Sequence, residues 1–296
     1  MKTIKQIAWA TDLHLDFLPR DERNAYIADL ASLPIDLLLL GGDTINGMLL
    51  DECFSEMARH LPFKICFVLG NHDYYGSSIA KVQAWAKEIT HASDNVFWMP
   101  EKGMVELNPS TVLIGHDGWA DGRLGDFANS KVVLNDYFYI HELKGLDKKH
   151  RLEVINHLGD EAAHHVSRWL PKVLKNYQQV IFLTHIPPFY QVCRHSHTID
   201  KDEHLPFLTC KAVGDVLLSE MKHHPHQQML VLSGHTHRNR VRHILPNLTI
   251  VSGGADYGEP KIQKIWSGAM DGFSFSEEIP LHPLTPARLE FVKKRA

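Results

Sequence analysis

Seven apolar runs of strand length recur along this chain, at residues 6–10, 37–40, 64–69, 111–114, 180–183, 229–232 and 248–251, and each stops abruptly at polar residues or glycine. Short apolar runs bounded in this way read as strands buried on both faces. Helical stretches at 22–33, 49–60 and 77–90 separate the first runs, with another at 211–223. The alternation of strand and helix predicts an α/β core. With 44% hydrophobic and 22% charged residues over 296 positions, the chain can bury a substantial core, and disorder is excluded as its default state.

The polar segments that follow these runs carry the chemistry. ATDLH follows the first, GGD the second, GNHD the third, THIPP the fifth and SGHTH the sixth. In open α/β sheets, ligands bind in the crevice beyond the carboxyl ends of the strands, so residues distant in sequence are expected to meet there. Asp12 and His14 lie two apart, a spacing that in an extended segment projects both side chains to one side, and His235 and His237 repeat it. Asp43 follows a glycine pair, Asn71 follows Gly70, and His185 ends its own strand. Seven oxygen and nitrogen donors thus arrive from five strand ends, more than one ion would use. Singly, each residue also has a plain structural explanation: Asp12 capping a turn, Asn71 in a left-handed turn position, His14 packed in the core. Five such clusters in order argue for two metal ions.

Mixed carboxylate, imidazole and amide donors without cysteine suit Mn²⁺ or iron, with Zn²⁺, Ni²⁺ or Mg²⁺ as alternatives, and argue against a structural zinc knot. A carboxylate can bridge two ions, and Asp43 is the expected bridge. Such pairs clamp the attacking and leaving oxygens of an in-line displacement at phosphorus and lower the pKa of a bound water.

Read in order, DLH (Asp12 to His14), GD (Gly42, Asp43), GNHD (Gly70 to Asp73), the lone His185 and GHTH (Gly234 to His237) resemble the five-block signature of the calcineurin-like metallophosphoesterase superfamily. The resemblance implies that Asp12, His14 and His237 hold one metal, that Asn71, His185 and His235 hold the other, and that Asp43 holds both. It implies a four-layer αββα fold, with two packed mixed β-sheets flanked by helices. It also implies that His72 stabilises the transition state and protonates the leaving oxygen. Asp73 would orient the His72 ring; a turn-stabilising role is the alternative. The blocks are most similar to the cyclic-nucleotide-phosphodiesterase-type branch. GGDTINGM and GNHD lack the arginine and GNHE block of phosphoprotein phosphatases, and His14 stands where purple acid phosphatases lack a histidine. The implied activity is hydrolysis of a phosphodiester or other small phosphoester. Two alternatives remain, a nuclease branch that shares GNHD and a GHxH block, and a non-catalytic metal-binding scaffold of the same fold.

A single domain over 1–296 is expected, with an insertion or cap at about 117–171 and a rim loop at about 186–210. The loop HDGWADGRLGDF offers Trp119 as an aromatic platform and Arg123 as a phosphate-binding cation, against the reading of a glycine-rich surface loop with an incidental arginine. His195 and His197 could touch substrate or a third ion, or face solvent. Residues 266–296 read as loop plus a short strand at 288–292.

Net charge is -4 and the basic residues are scattered, so nucleic acid is a disfavoured partner and a small-molecule phosphoester the expected one. The N-terminus has no signal-peptide pattern and the chain no membrane span, which predicts a cytoplasmic protein. Cys53, Cys66, Cys193 and Cys210 form no CxxC pair and are expected as free thiols.

Overall fold

The computed structural model describes residues 4–193, 199 and 202–267. Two sheets form, each from strands whose alternate side chains enter different layers. In the first, β1 (Gln6–Ala10), β2 (Leu37–Gly41), β3 (Lys64–Val68) and β4 (Val96–Trp98) run parallel. β11 (Lys264–Ser267) adds antiparallel to β1, giving the order β11-β1-β2-β3-β4. The second sheet has the order β5-β6-β7-β8-β10-β9. Its parallel strands are β6 (Thr111–Gly115), β7 (Gln179–Leu183), β8 (Gln228–Ser233) and β10 (Leu248–Ser252). β5 (Met104–Asn108) and β9 (Arg240–Leu245) pair antiparallel at its two edges.

The layers follow from strand periodicity. Trp9, Leu37, Leu39, Cys66 and Val68 face Ile181, Leu183, Leu230 and Leu232 in one buried cluster between the sheets. Their neighbours Ala8, Leu38, Leu40, Ile65 and Phe67 turn the other way, to pack with side chains of α1 (Arg20–Ala31), α2 (Leu50–His60) and α3 (Ile79–Ala92). Val180, Phe182, Met229 and Val231 do the same on the second sheet, against α6 (Lys148–Leu174) and α7 (Lys211–His223). The expected four-layer arrangement is therefore present. Two short helices, α4 (Met99–Lys102) and α5 (Asp136–Tyr139), sit in connections.

Two expectations change in detail. The helix of the supposed insertion runs past residue 171 to Leu174, and its Ala162, Val166, Leu170 and Val173 are part of the outer layer of the second sheet. Only the stretch up to about the first half of α6 lies over the first layer, where Trp119, Phe127, Tyr137 and Ile155 join the core. Trp266 lies in β11 rather than in a loop; the expected strand at 288–292 lies outside the described residues. The four cysteines are free and buried.

Candidate metal centre

The polar clusters converge at the carboxyl ends of β1, β2, β3, β7 and β8, across the seam between the sheets. The backbone there is unusual. Among non-glycine residues, the described positive φ values belong to Asp12 (53°), His14 (43°), Asp43 (51°), His235 (68°) and His237 (53°), all of them expected ligands. A left-handed conformation costs a residue that carries a Cβ about 1 kcal/mol or more, and such outliers cluster at functional sites. Asp12 and His14 thus reach a common point through left-handed turns rather than through the alternation of an extended strand, which corrects the geometric reason given above while keeping its outcome. Close approach also demands glycine: a Cβ at Gly234 would overlap Thr11 and the Asp12 carboxylate, and one at Gly70 would overlap the Asp43 carboxylate.

Two groups of donors result. In the first, one ligand atom from each of Asp12, His14, Asp43 and His237 lies within 4.8 Å of all the others. His14 Nε2 is 3.0 Å from His237 Nε2 and 3.7 Å from Asp43 Oδ2, and His237 Nε2 is 3.4 Å from Asp12 Oδ1. In the second, His185 Nε2 lies 3.4 Å from Asp43 Oδ1 and 3.2 Å from Asn71 Oδ1, which is 3.1 Å from His235 Nδ1. Asp43 therefore turns one carboxylate oxygen to each group. All seven expected ligands are brought together.

Hydrogen bonds fix which atoms face inward. His185 Nδ1 bonds Gly41 O at 2.9 Å and His235 Nε2 bonds Phe207 O at 2.9 Å, so it is the other nitrogen of each ring, Nε2 of His185 and Nδ1 of His235, that faces the cluster. Asn71 Nδ2 donates to Asp136 Oδ1 at 2.9 Å, leaving Asn71 Oδ1 turned into the second group. Asp136 also accepts from Tyr75 Oη at 2.6 Å and is itself buried.

The electrostatics match the donor chemistry. Burial would raise the Asp43 carboxyl, yet His185, His72 and His14 hold it well below the carboxylate range. Burial would likewise depress His185, but Asp43 and Asp12 push it up to about 10. His14 goes the other way, burial bringing it down to about 4 against the pull of Asp43 and Asp12. Charged carboxylates ringed by imidazoles fit a pair of divalent cations, whose binding would displace the proton that Asp43 and Asp12 hold on His185.

His72 lies beside this centre, its ring 4.6 Å from that of His14 and stacked on Tyr75 at 4.3 Å. Asp73 does not hold that ring. Its Oδ2 accepts from the backbone N–H of Asp43 (2.9 Å) and Gly70 (2.7 Å), and its Oδ1 from Thr44 (2.9 Å) and Ile45 (3.1 Å). Asp73 thus ties the Asp43 turn to the Asn71 turn, which is the turn-stabilising alternative.

A cavity of about 590 Å³ opens over the centre. Asp43, Asn71, His72, His235 and His237 form its floor, and Val132, Leu134, Phe207, Leu208 and Tyr257 its walls. Trp119 and Arg123 are absent from it, a correction to their expected roles. Trp119 is buried beside Tyr74, ring centroids 5.8 Å apart, and Arg123 is bound to Asp121 (3.1 Å) and Asp160 (2.8 Å). The insertion reaches the cavity instead through Val132, Leu134, Asn135 and Asp136. His195 and His197 lie outside the described residues. Sequence reasoning missed Asp136, 65 positions beyond Asn71 and outside any motif, and Tyr257, beyond the last block.

A sequence model of calcineurin-like phosphoesterases matches residues 5–239, which includes all five clusters. The chain belongs to the calcineurin-like phosphoesterase family. Solved structures share the fold. Phosphopantetheinyl hydrolase from Mycobacterium tuberculosis superposes with a TM-score of 0.56 at 17% identity, covering 86% of this chain and 91% of that one. A dimetal phosphatase from Danio rerio gives 0.52 at 11% identity, covering 86% and 88%. No curated protein sequence matches this phosphoesterase. Metal-dependent phosphoester hydrolysis is the chemistry that family membership and the first donor group support.

Proposed function

We propose that this phosphoesterase hydrolyses a small phosphodiester, with one divalent cation held by Asp12, His14 and His237, a second by Asn71, His185 and His235, and Asp43 shared between them. The observation that carries the reading is the split of the Asp43 carboxylate, Oδ2 towards His14 and Oδ1 towards His185. Bound cations would supply charge for the phosphoryl oxygens and lower the pKa of a water near phosphorus. Manganese or iron is the proposed pair, since the donors mix hard oxygens with imidazoles.

The chain's own groups do the rest. His72 borders the cavity, half-buried, where its ring can give a proton to the departing oxygen, and its stack on Tyr75 fixes the plane of that ring. Asp73 keeps the Asp43 and Asn71 turns in register. The cavity walls favour a diester: no lysine or arginine lines them among the described residues, so nothing beyond the cations and histidines is on hand for the second charge of a monoester. The neighbouring fold of a phosphopantetheinyl hydrolase is compatible with a small organic substrate. A small molecule rather than nucleic acid is the proposed partner, given the net charge of -4. No helix among the described residues is long and apolar enough to cross a membrane.

The test is a metal-loading series with Mn²⁺, Fe²⁺, Ni²⁺ and Zn²⁺, measuring metal per chain and turnover of bis- and mono-(p-nitrophenyl) phosphate. Two equivalents of metal and faster diester cleavage are expected. Stable protein that loads metal but turns over neither ester would leave the scaffold reading standing.

A further inference from the structure

Six large apolar side chains are left exposed among the described residues. Phe17, Met48, Val133, Phe138, Tyr139 and Tyr257 are between 51 and 74% exposed. Three of them, Phe17, Tyr139 and Tyr257, are joined by ring contacts to the cavity above the metal centre. Tyr257 lines the cavity, 4.5 Å from the His14 ring, and Phe17 lies 4.6 Å from Tyr257. Across the opening, Tyr139 lies 5.4 Å from Tyr75, which also lines the cavity. Met48 closes on Gly76, whose backbone N–H donates to Tyr139 O at 2.9 Å.

Exposed apolar surface gathered into one patch marks a binding surface, whereas single exposed residues mean nothing. Here Tyr257 belongs both to the exposed set and to the lining of the cavity over the metal centre, beside the apolar Val132, Leu134, Phe207 and Leu208, so what covers it also reaches that centre. A compact polar ester would leave the rim bare. A second protein would not enter a cavity of about 590 Å³, whereas a small molecule would. The three exposed rim residues are aromatic, and the cavity walls below them are largely aliphatic.

Building on the hydrolase reading above, we infer that the substrate carries an apolar organic arm, aliphatic or aryl, which leaves the phosphoryl group at the metal centre and lies across this rim. The rim sets specificity; the floor sets chemistry. Phe17, Tyr139 and Tyr257 contact the arm, and Val132, Leu134 and Phe207 guide it upward.

The inference is tested on the manganese-loaded full chain by calorimetric binding of methyl-, octyl- and phenylphosphonate, below their aggregation concentrations. The octyl or phenyl probe is expected to bind about tenfold or more tightly than the methyl probe, as burial of even part of an alkyl chain requires. Preference for octyl alone identifies an aliphatic arm and for phenyl alone an aryl one. Equal affinity for all three overturns the inference. The preference should shrink towards unity in Phe17→Ser with Tyr139→Ser, and, should that pair unfold by circular dichroism, in Tyr139→Ser alone; a retained preference in a folded variant also overturns it. Turnover of bis(p-nitrophenyl) phosphate is scored separately, so a chain that prefers apolar phosphonates yet hydrolyses nothing would sink the hydrolase reading and keep the rim.

Discussion

The two halves of the proposed metal centre are organised by different means. In the first, every ligand is set by backbone conformation: Asp12, His14 and His237 all sit at positive φ, and the buried Nδ1 of His14 has no hydrogen-bond partner. In the second, only His235 sits at positive φ and Asn71 has ordinary helical dihedrals, while all three ligands are steered by an outer hydrogen bond, Asn71 by Asp136, His185 by Gly41 and His235 by Phe207. Turn geometry encoded in a short motif suffices for the first half. The second half needs partners from elsewhere in the chain, one of them from the insertion. It follows that the second half is the more open to disruption by substitutions that touch no metal.

Asp43 joins the halves, and its loss tests whether they are one centre. Asp43→Asn should leave the chain without either cation at micromolar metal and lower turnover at least about a thousandfold, since the charge stabilisation at stake is several kcal/mol. Metal content by plasma emission is the measurement. Unchanged content would mean that the halves load independently and that the shared carboxylate is an accident of packing.

His72 belongs to neither half. His72→Ala should keep both cations and lose about a hundredfold or more in kcat on the diester, the usual worth of a positioned acid. Metal lost together with activity would move His72 into the first half, beside His14, and change the comparison.

Between the halves themselves, the discriminating pair is Asp136→Ala and Thr11→Val. Asp136→Ala frees the Asn71 amide to turn and should weaken the second cation about ten- to a hundredfold in a calorimetric titration. Thr11 Oγ1 donates to Asp12 Oδ2 at 2.7 Å, but the left-handed turn already places that carboxylate. Thr11→Val should therefore cost the first cation about fivefold or less, the value of one net hydrogen bond. Comparable losses in the two variants would erase the distinction.

The same contrast explains what could be read from the sequence. The first half is local: DLH and GHTH carry their own turn geometry, and their strands are unbroken apolar runs, so both ligands and strands were legible. The residues that complete the second half act over long separations, as Asp136 does on Asn71, and no spacing announces them. Strands went unread for a related reason. β4 has three residues, while β5 and β9 are edge strands with charged positions, as edges exposed to solvent tend to be, and these dilute the apolar signal. Trp119 and Arg123 were read from residue type alone. Residue type offers a tryptophan in a glycine-rich loop as a platform or as incidental to a surface loop, but the loop folds inward and Trp119 joins the core, while the buried Asp121 carboxylate holds the arginine.

A pair of histidines outside the centre shows what carboxylates contribute to both halves. Where the end of β6 meets α6, the His116 and His165 rings lie 4.9 Å apart. No carboxylate counters their burial. Desolvation, with His165 adding to it, brings His116 down to about 3, and desolvation, with Arg168 and His164, brings His165 down to about 4. Both are therefore neutral in the native chain at pH values where an unfolded histidine, with its ordinary value near 6.5, takes up a proton. The unfolded state then binds more protons, so their contribution to stability is intact above about 6.5 and is lost as pH falls towards 4 and below. For His116 the slope is at most about 1.4 kcal/mol per pH unit. In His165→Leu, one of the two groups no longer titrates, and the urea midpoint should fall less steeply between pH 6.5 and 4 than in the parent chain, with little change at pH 8. An unaltered slope would mean that the acid sensitivity arises elsewhere, the metal centre being the first place to look, and that histidines there are held no differently from this uncompensated pair.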